Sequence, residues 1–221
     1  MAGTMDSPAT DRCSTGFMRL IEPFPLSAIE RYAGTAYGLW LDWRLAYINP
    51  GWIGFAAENG GPPALQSPDC LHTPVMDVTA EVLRPFYREL FTHAIERRNR
   101  TRRPLAHRYE CSSARAFREY VMHLYPLGQA EGLLVVNSLV VERPHAADAP
   151  PAGDAQPSDY LDEHGLMHQC AHCRRMQNLR VPGRWDWVPA WVETIPPEAS
   201  HTLCYFCLHL FYPKPKKSPD R

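Results

Sequence analysis

Two Cys-x-x-Cys pairs, Cys170-Ala-His-Cys173 and Cys204-Tyr-Phe-Cys207, constrain this chain more than any other feature. Cysteines three positions apart can both point inward from one tight turn, so each pair supplies half of a tetrahedron. Zinc takes four ligands tetrahedrally and binds thiolate at roughly 2.3 Å, which makes Cys170, Cys173, Cys204 and Cys207 the candidate ligands of a closed structural zinc site. Reversible disulfide chemistry, an iron–sulfur cluster and unligated thiols are the other states open to the same residues. A structural metal explains stability before it explains activity.

The composition narrows the setting. A chain of 221 residues holds one good-sized domain plus an appendage, or two small domains. Its 45 % hydrophobic and 11 % aromatic content suffices for a packed core. A formal net charge of −1 argues against a general binder of nucleic acid or acidic membrane surfaces. Its 22 prolines are about twice the usual share and cluster in linkers and turns. The first residues lack the basic and apolar regions of a secretory signal, and no stretch approaches the roughly twenty apolar residues of a membrane helix. Seven cysteines, four of them in metal-type pairs, fit a reducing cytoplasm better than a disulfide framework.

Taken in order, residues 1–23 read as a flexible leader. Phe24 to Tyr32 is a short amphipathic segment with Ser27 as the expected N-cap and Leu26, Ile29 and Tyr32 on its apolar side. Tyr37 to Asp42 and Arg44 to Ile48 read as paired strands. Asn49-Pro50-Gly51 ends the second, and Pro50 opens a helix toward Asn59. Val82, Phe86, Leu90 and Ala94 repeat at i+4, with Phe91 and Ile95 widening the stripe, which predicts a helix over Val78 to Arg98 that starts or kinks at Pro85. Core packing is the ordinary reading of that stripe. Leu105 to Cys111, Arg115 to Leu127 and Gly132 to Val141 alternate as three strands, with Met122 and Leu124 on one face and Val121, His123 and Tyr125 on the other. The continuous run Leu133 to Val136 suits a central strand covered on both faces. Residues 143–158 form a proline- and alanine-rich linker, a short helix is expected after Ser158, and 159–213 carry the cysteines. Trp185, Trp187 and Trp191 lie between the pairs and are expected to supply most of that small module's core. Residues 214–221 read as a flexible tail.

The order strand, strand, short helices, longer helix, three strands over residues 36–141 resembles a PAS domain, the five-stranded antiparallel sensor fold, most closely at Tyr47-Ile48-Asn49-Pro50. The carboxy-terminal part resembles a cysteine module found attached to bacterial PAS signalling proteins. In that module a Cys-x-x-Cys pair with basic residues precedes a tryptophan, a Ser-His-Gly-x-Cys-Pro-x-Cys segment and a Tyr-Pro ending. Here these are Cys170 to Cys173 with Arg174 and Arg175, Trp185 or Trp187, Ser200-His201-Thr202-Leu203-Cys204-Tyr205-Phe206-Cys207, and Tyr212-Pro213. Thr202 and Tyr205 depart from the module's Gly and Pro. The resemblances imply an α+β fold: a PAS-like sensor or interaction domain over 24–142 with a zinc-stabilised module behind it. They also imply cytoplasmic signalling through a protein partner, with a small ligand sometimes held between sheet and helices. The cysteine motif of flavin-binding PAS domains is absent. For haem, His72 and His93 are the nearest candidates, and an exposed or core-edge histidine is the plainer reading of His93.

Catalytic signatures such as Gly-x-Ser-x-Gly, a phosphate-cradling glycine loop or His-Glu-x-x-His do not occur, so no enzyme is expected. Arg97 to Arg103 holds five arginines, read as a solvated helix end complementing the helix dipole rather than a phosphate contact. Arg174 and Arg175 can offset the formal −2 of four thiolates and a dication. His168, His172, His201 and His209 flank the cysteines as donors to the thiolates or as surface residues. Cys-Ala-His-Cys also has the form of a redox pair, which makes an oxidation-responsive zinc switch the alternative function. Cys13, Cys70 and Cys111 are read as inert thiols. The segment Leu26 to Tyr32 motivates a homodimer.

Overall fold

Within the computed structural model, residues 9–97, 103–113, 115–145 and 155–212 are described. The chain divides into two compact units. One comprises Met1–Thr79, Tyr87–Tyr109 and Tyr120–Leu139, the other Ala80–Phe86, Glu110–Glu119 and Val140–Arg221.

Short helices α1 (Met18–Ile21) and α2 (Leu26–Arg31) lead into strands β1 (Ala36–Trp40) and β2 (Leu45–Ile48), then helix α3 (Pro50–Glu58). Helix α4 (Arg84–Arg97) follows, and strands β3 (Leu105–Glu110), β4 (Ala116–Leu127) and β5 (Gly132–Pro144) complete a five-stranded sheet of order β2-β1-β5-β4-β3. β1 is antiparallel to both neighbours. The central position of β5 explains its unbroken apolar run. Leu133 and Val135 pack with Tyr37, Leu39, Leu124 and Phe91, while Leu134 and Val136 pack on the opposite face with Phe17, Ile21 and Tyr47. Successive side chains of a strand point to opposite faces, so a strand covered on both sides must be apolar throughout.

The second face is covered by the chain's own start. Residues 1–8 of the expected leader lie outside the described residues, but from Ala9 onward the leader is structured, and Phe17, Leu20 and Ile21 are buried. The Phe17 ring lies over two strand glycines: a Cβ on Gly38 would sit 2.2 Å from it, and one on Gly132 2.8 Å. Its edge meets Trp40 with ring centroids 4.8 Å apart. Glu30 binds both the Tyr47 hydroxyl and Arg12, which ties the amino-terminal turn to β2. Leu26 and Ile29, the side chains behind the homodimer expectation, pack against this same sheet face.

One local expectation needs correction and one is resolved between its alternatives. Ser27 is not an N-cap. α2 starts at Leu26 behind Pro25, with no side-chain cap, because proline already supplies a fixed φ at the entry. The long helix takes the start that Pro85 allowed: it begins at Arg84 rather than Val78, after a separate turn over Glu81–Leu83, since Pro85 has no N–H to give and fits only the first turn.

Asn49 is the joint of the first unit. It is fully buried, and its Oδ1 accepts from the N–H of Ala36 (2.9 Å) and of Trp52 (3.0 Å), capping α3. Its Nδ2 donates to the carbonyls of Ile29, Tyr32 and Gly34 at 2.9 to 3.2 Å. One side chain thus holds α2, β1 and α3 together.

In the second unit, β6 (Met167–Cys170), β7 (Met176–Gln177), β8 (Trp185–Asp186), α5 (Pro189–Glu193), β9 (Ala199–Thr202) and α6 (Tyr205–Phe211) follow a 3-10 turn at Pro157–Asp159. That turn stands where a short helix was expected after Ser158. Of the expected linker, 146–154 lie outside the described residues, while β5 runs to Pro144 and Ala155 packs on the module's core. Residues 98–102 of the arginine run and the tail also lie outside. The sheet order is β8-β7-β6-β9, with β6 and β9 parallel. Tyr160, Met167, Met176 and Val188 form the core, with Trp191 packed on it and Trp187 buried nearby. Buried Asp186 accepts from Tyr160 Oη (2.7 Å), Asn178 Nδ2 (2.8 Å) and Arg184 Nε (2.5 Å). Burial alone would raise its carboxyl pKa, but these donors outweigh it and hold the pKa low.

Asn49→Ala removes the α3 cap and strands several buried partners, each costing about 1–3 kcal/mol. Urea unfolding of the full chain is expected to show a loss of about 3 kcal/mol or more. A change under about 1 kcal/mol contradicts the role given to Asn49.

Candidate metal centre

The first cysteine pair sits on the turn between β6 and β7. Cys170 ends β6, and its N–H donates to the Arg175 carbonyl at 2.8 Å, while Arg174 N–H donates back to the Cys170 carbonyl at 2.9 Å. The turn closes because Arg174 adopts φ 61°, a left-handed conformation that costs a non-glycine residue free energy. The second pair sits at the start of α6: Cys204 is its N-cap residue and Cys207 lies in its first turn. Parallel pairing of β6 with β9, Cys170 opposite Thr202, brings the pairs together, and Ala171 N–H bonds the Thr202 carbonyl at 2.7 Å.

The four sulfur atoms lie within 4.8 Å of one another and all four residues are buried. Cys173 Sγ and Cys204 Sγ are 3.7 Å apart. Thiolates held at about 2.3 Å from a tetrahedral dication would be spaced at about 3.8 Å, so the donor set fits such an ion. Cys170 Sγ accepts the Cys204 N–H at 3.4 Å.

The electrostatics make the same point. Contacts from the sulfurs of Cys173, Cys204 and Cys207 hold the Cys170 thiol far below the usual range. Cys173 and Cys207 are pushed well above it, chiefly by their contacts with Cys170. Cys204 is raised by Cys170, but Cys173 and Cys207 more than offset this and bring it to about 7. Touching buried thiols cannot all ionise unless a cation joins them. Bound metal would make all four thiolates, and Arg175, whose side chain interacts with both Cys173 and Glu110, stands beside the resulting negative charge.

Of the flanking histidines, His172 touches the cluster, with Nδ1 3.3 Å from Cys207 Sγ and its ring packed on Phe211. His168 instead binds Asp162, His201 is exposed, and His209 packs on Tyr205. Tyr212, of the expected Tyr-Pro ending, anchors the end of α6 by donating to the Val82 carbonyl and accepting from Phe86 N–H, both at 3.2 Å. The Glu110–Arg175 pair could not be read from sequence, its members being 65 positions apart. A cavity of about 390 Å³ also went unforeseen. Cys204 and Cys207 contribute to its wall together with His172, Arg175, Trp185 and Phe206.

The remaining candidates fall elsewhere. His72 and His93 are both exposed. Tyr37, Trp43, Trp52 and Phe91 pack together on the helical side of the five-stranded sheet. Burial pushes the thiols of Cys13 and Cys70 up to about 11, and also raises Cys111, consistent with inert cysteines.

No protein-family model and no curated protein matches this chain. Among solved structures, a crystal structure of a PAS domain from a two-component sensor histidine kinase aligns with 57 % of this chain and 99 % of its own, at 14 % identity and a TM-score of 0.30. A likeness at that level establishes neither family nor function.

Cys173→Ser takes away one of the four donors, the sulfur 3.7 Å from that of Cys204. The variant is expected to lose bound metal and the near-ultraviolet circular dichroism of Trp187 and Trp191, leaving the Trp40 and Trp52 environments intact. Full metal retention contradicts the four-thiolate assignment.

Proposed function

We propose that this chain is a regulatory protein in which a PAS-type sensor or interaction domain is coupled to a structural zinc module. The observation that carries the metal half is the buried convergence of Cys170, Cys173, Cys204 and Cys207. Zinc fits because four thiolates and no open position make a closed tetrahedral site, the form of structural rather than catalytic zinc. The small core around Tyr160, Met167, Met176 and Val188 supports a folding role for the ion, since modules of this size lean on a metal for stability.

The sensor half is supported by element order: five strands in one sheet, with the helices inserted between the second and third. No catalytic role is assigned to any residue. The output passes to a protein partner in the cytoplasm, a reading supported by the apolar side chains that α6 leaves exposed, among them Tyr205, Phe206 and Leu210. No helix of the described residues is long and apolar enough to cross a membrane.

Native mass spectrometry of the chain isolated from its own cells, with elemental analysis, is expected to give about one zinc per chain and a co-purifying protein. Zinc carries on the order of 10 kcal/mol of folding free energy in small modules, so a strong chelator should unfold the second unit. A metal-free chain with that unit folded contradicts the metal half, and a chain with no protein partner contradicts the signalling half.

A further inference from the structure

We propose that Cys207 is an oxidation site that takes an organic hydroperoxide, delivered by the cavity whose wall it shares. This rests on the zinc–thiolate reading above and deepens it. Cys207 is the most accessible cluster cysteine, at 6 % exposure against 0 to 1 % for the other three. The cavity reaches the second pair: Cys204 and Cys207 belong to its wall, whereas Cys170 and Cys173 do not. A thiolate is both metal ligand and nucleophile, so a metal-bound sulfur at a cavity wall remains a target for an electrophilic oxygen.

The cavity's chemistry selects the oxidant. At about 390 Å³ it is far larger than hydrogen peroxide needs, a single water occupying about 30 Å³ of liquid volume. Trp185 and Phe206 offer apolar walls to a carbon body. At the polar side stand the Arg175 guanidinium, held at 3.5 Å by Glu110, and the His172 imidazole, 3.3 Å from Cys207 Sγ. Both can bond the oxygen that leaves.

The chemistry balances as a two-electron oxidation. The Cys207 thiolate attacks the terminal oxygen of the hydroperoxide, the O–O bond breaks, and the alkoxide takes a proton to become an alcohol. Cys207 is now a sulfenic acid. The Cys204 thiolate attacks its sulfur, forming a Cys204–Cys207 disulfide and expelling hydroxide, which leaves as water after protonation. Two thiolates, one hydroperoxide and two protons drawn from solvent thus become a disulfide, an alcohol and water. The two remaining thiolates no longer hold the metal, which is released.

The test uses the full metal-loaded chain, its zinc content measured first. Cumene hydroperoxide or hydrogen peroxide is added with a dimedone-type sulfenic-acid trap, peptide mass spectrometry locates the label, and a chromogenic chelator follows zinc. Without the trap, disulfides are mapped. Label is expected on Cys207 before the other three, followed without trap by a Cys204–Cys207 disulfide and loss of the zinc. Cumene hydroperoxide should act about tenfold faster than hydrogen peroxide. Phe206→Ala, at a ring 79 % exposed and outside the core, should bring the two rates together. First labelling of Cys170, Cys173 or Cys204, a disulfide without Cys207, or equal rates for the two oxidants in the unaltered chain overturns the proposal. A chain that starts without zinc overturns the metal reading instead, and the order of labelling decides this proposal either way.

Discussion

Four thiols buried in mutual contact are the constraint on which the second unit depends. Without a cation they can share little negative charge, and the opposed behaviour of Cys170, held low, and Cys173 and Cys207, held high, expresses that frustration. A bound dication would remove it and would also close the 31-residue separation between Cys173 and Cys204. The parallel pairing of β6 with β9, four residues long, is one that short strands seldom sustain alone. The knuckle at Cys170 to Arg175, the strained Arg174 backbone and the α6 start at Cys204 all become sensible once the sulfurs share an ion. Asp186 and its three donors pin the other edge of the sheet, and Tyr212 fixes the end of α6.

The first unit solves a different problem. Its central strand β5 is apolar on both faces, so the sheet needs two covers. α3, α4 and the turns between them supply one, and the chain's own start supplies the other through Phe17, Leu20 and Ile21. Burying three such side chains is worth about 1.5–3 kcal/mol each. Glu30, bonded to Arg12 and Tyr47, and Asn49, bonded to five backbone groups, orient those covers.

The parts legible in the sequence were those with a short physical period. The cysteine spacing marked the cluster, and Leu133 to Val136 marked a strand covered on both faces. Leu90, Phe91, Ala94 and Ile95 marked the buried side of α4. The amino-terminal cover was missed because Phe17, Met18, Leu20 and Ile21 form a run too short to show a period, directly behind a small and polar stretch. A signal did exist: Gly38 interrupts the otherwise apolar strand β1 and Gly132 opens β5, and a strand glycine often marks close approach of another group. Ser27 misled because capping preference is local, whereas Pro25 had already fixed the helix entry. The links Tyr160–Asp186 and Glu110–Arg175 join residues far apart in the chain, so no pattern of spacing announces them. The cavity beside Cys207 is likewise a product of packing.

On the proposed reading, all four cysteines bind one zinc ion. X-ray absorption at the zinc edge of the protein as purified reads the ligand shell directly. Four sulfur neighbours at about 2.3 Å, with no nitrogen or oxygen directly bound, are expected. A shell in which nitrogen replaces a sulfur, as His172 in place of Cys207 would give, or a protein without zinc, contradicts it.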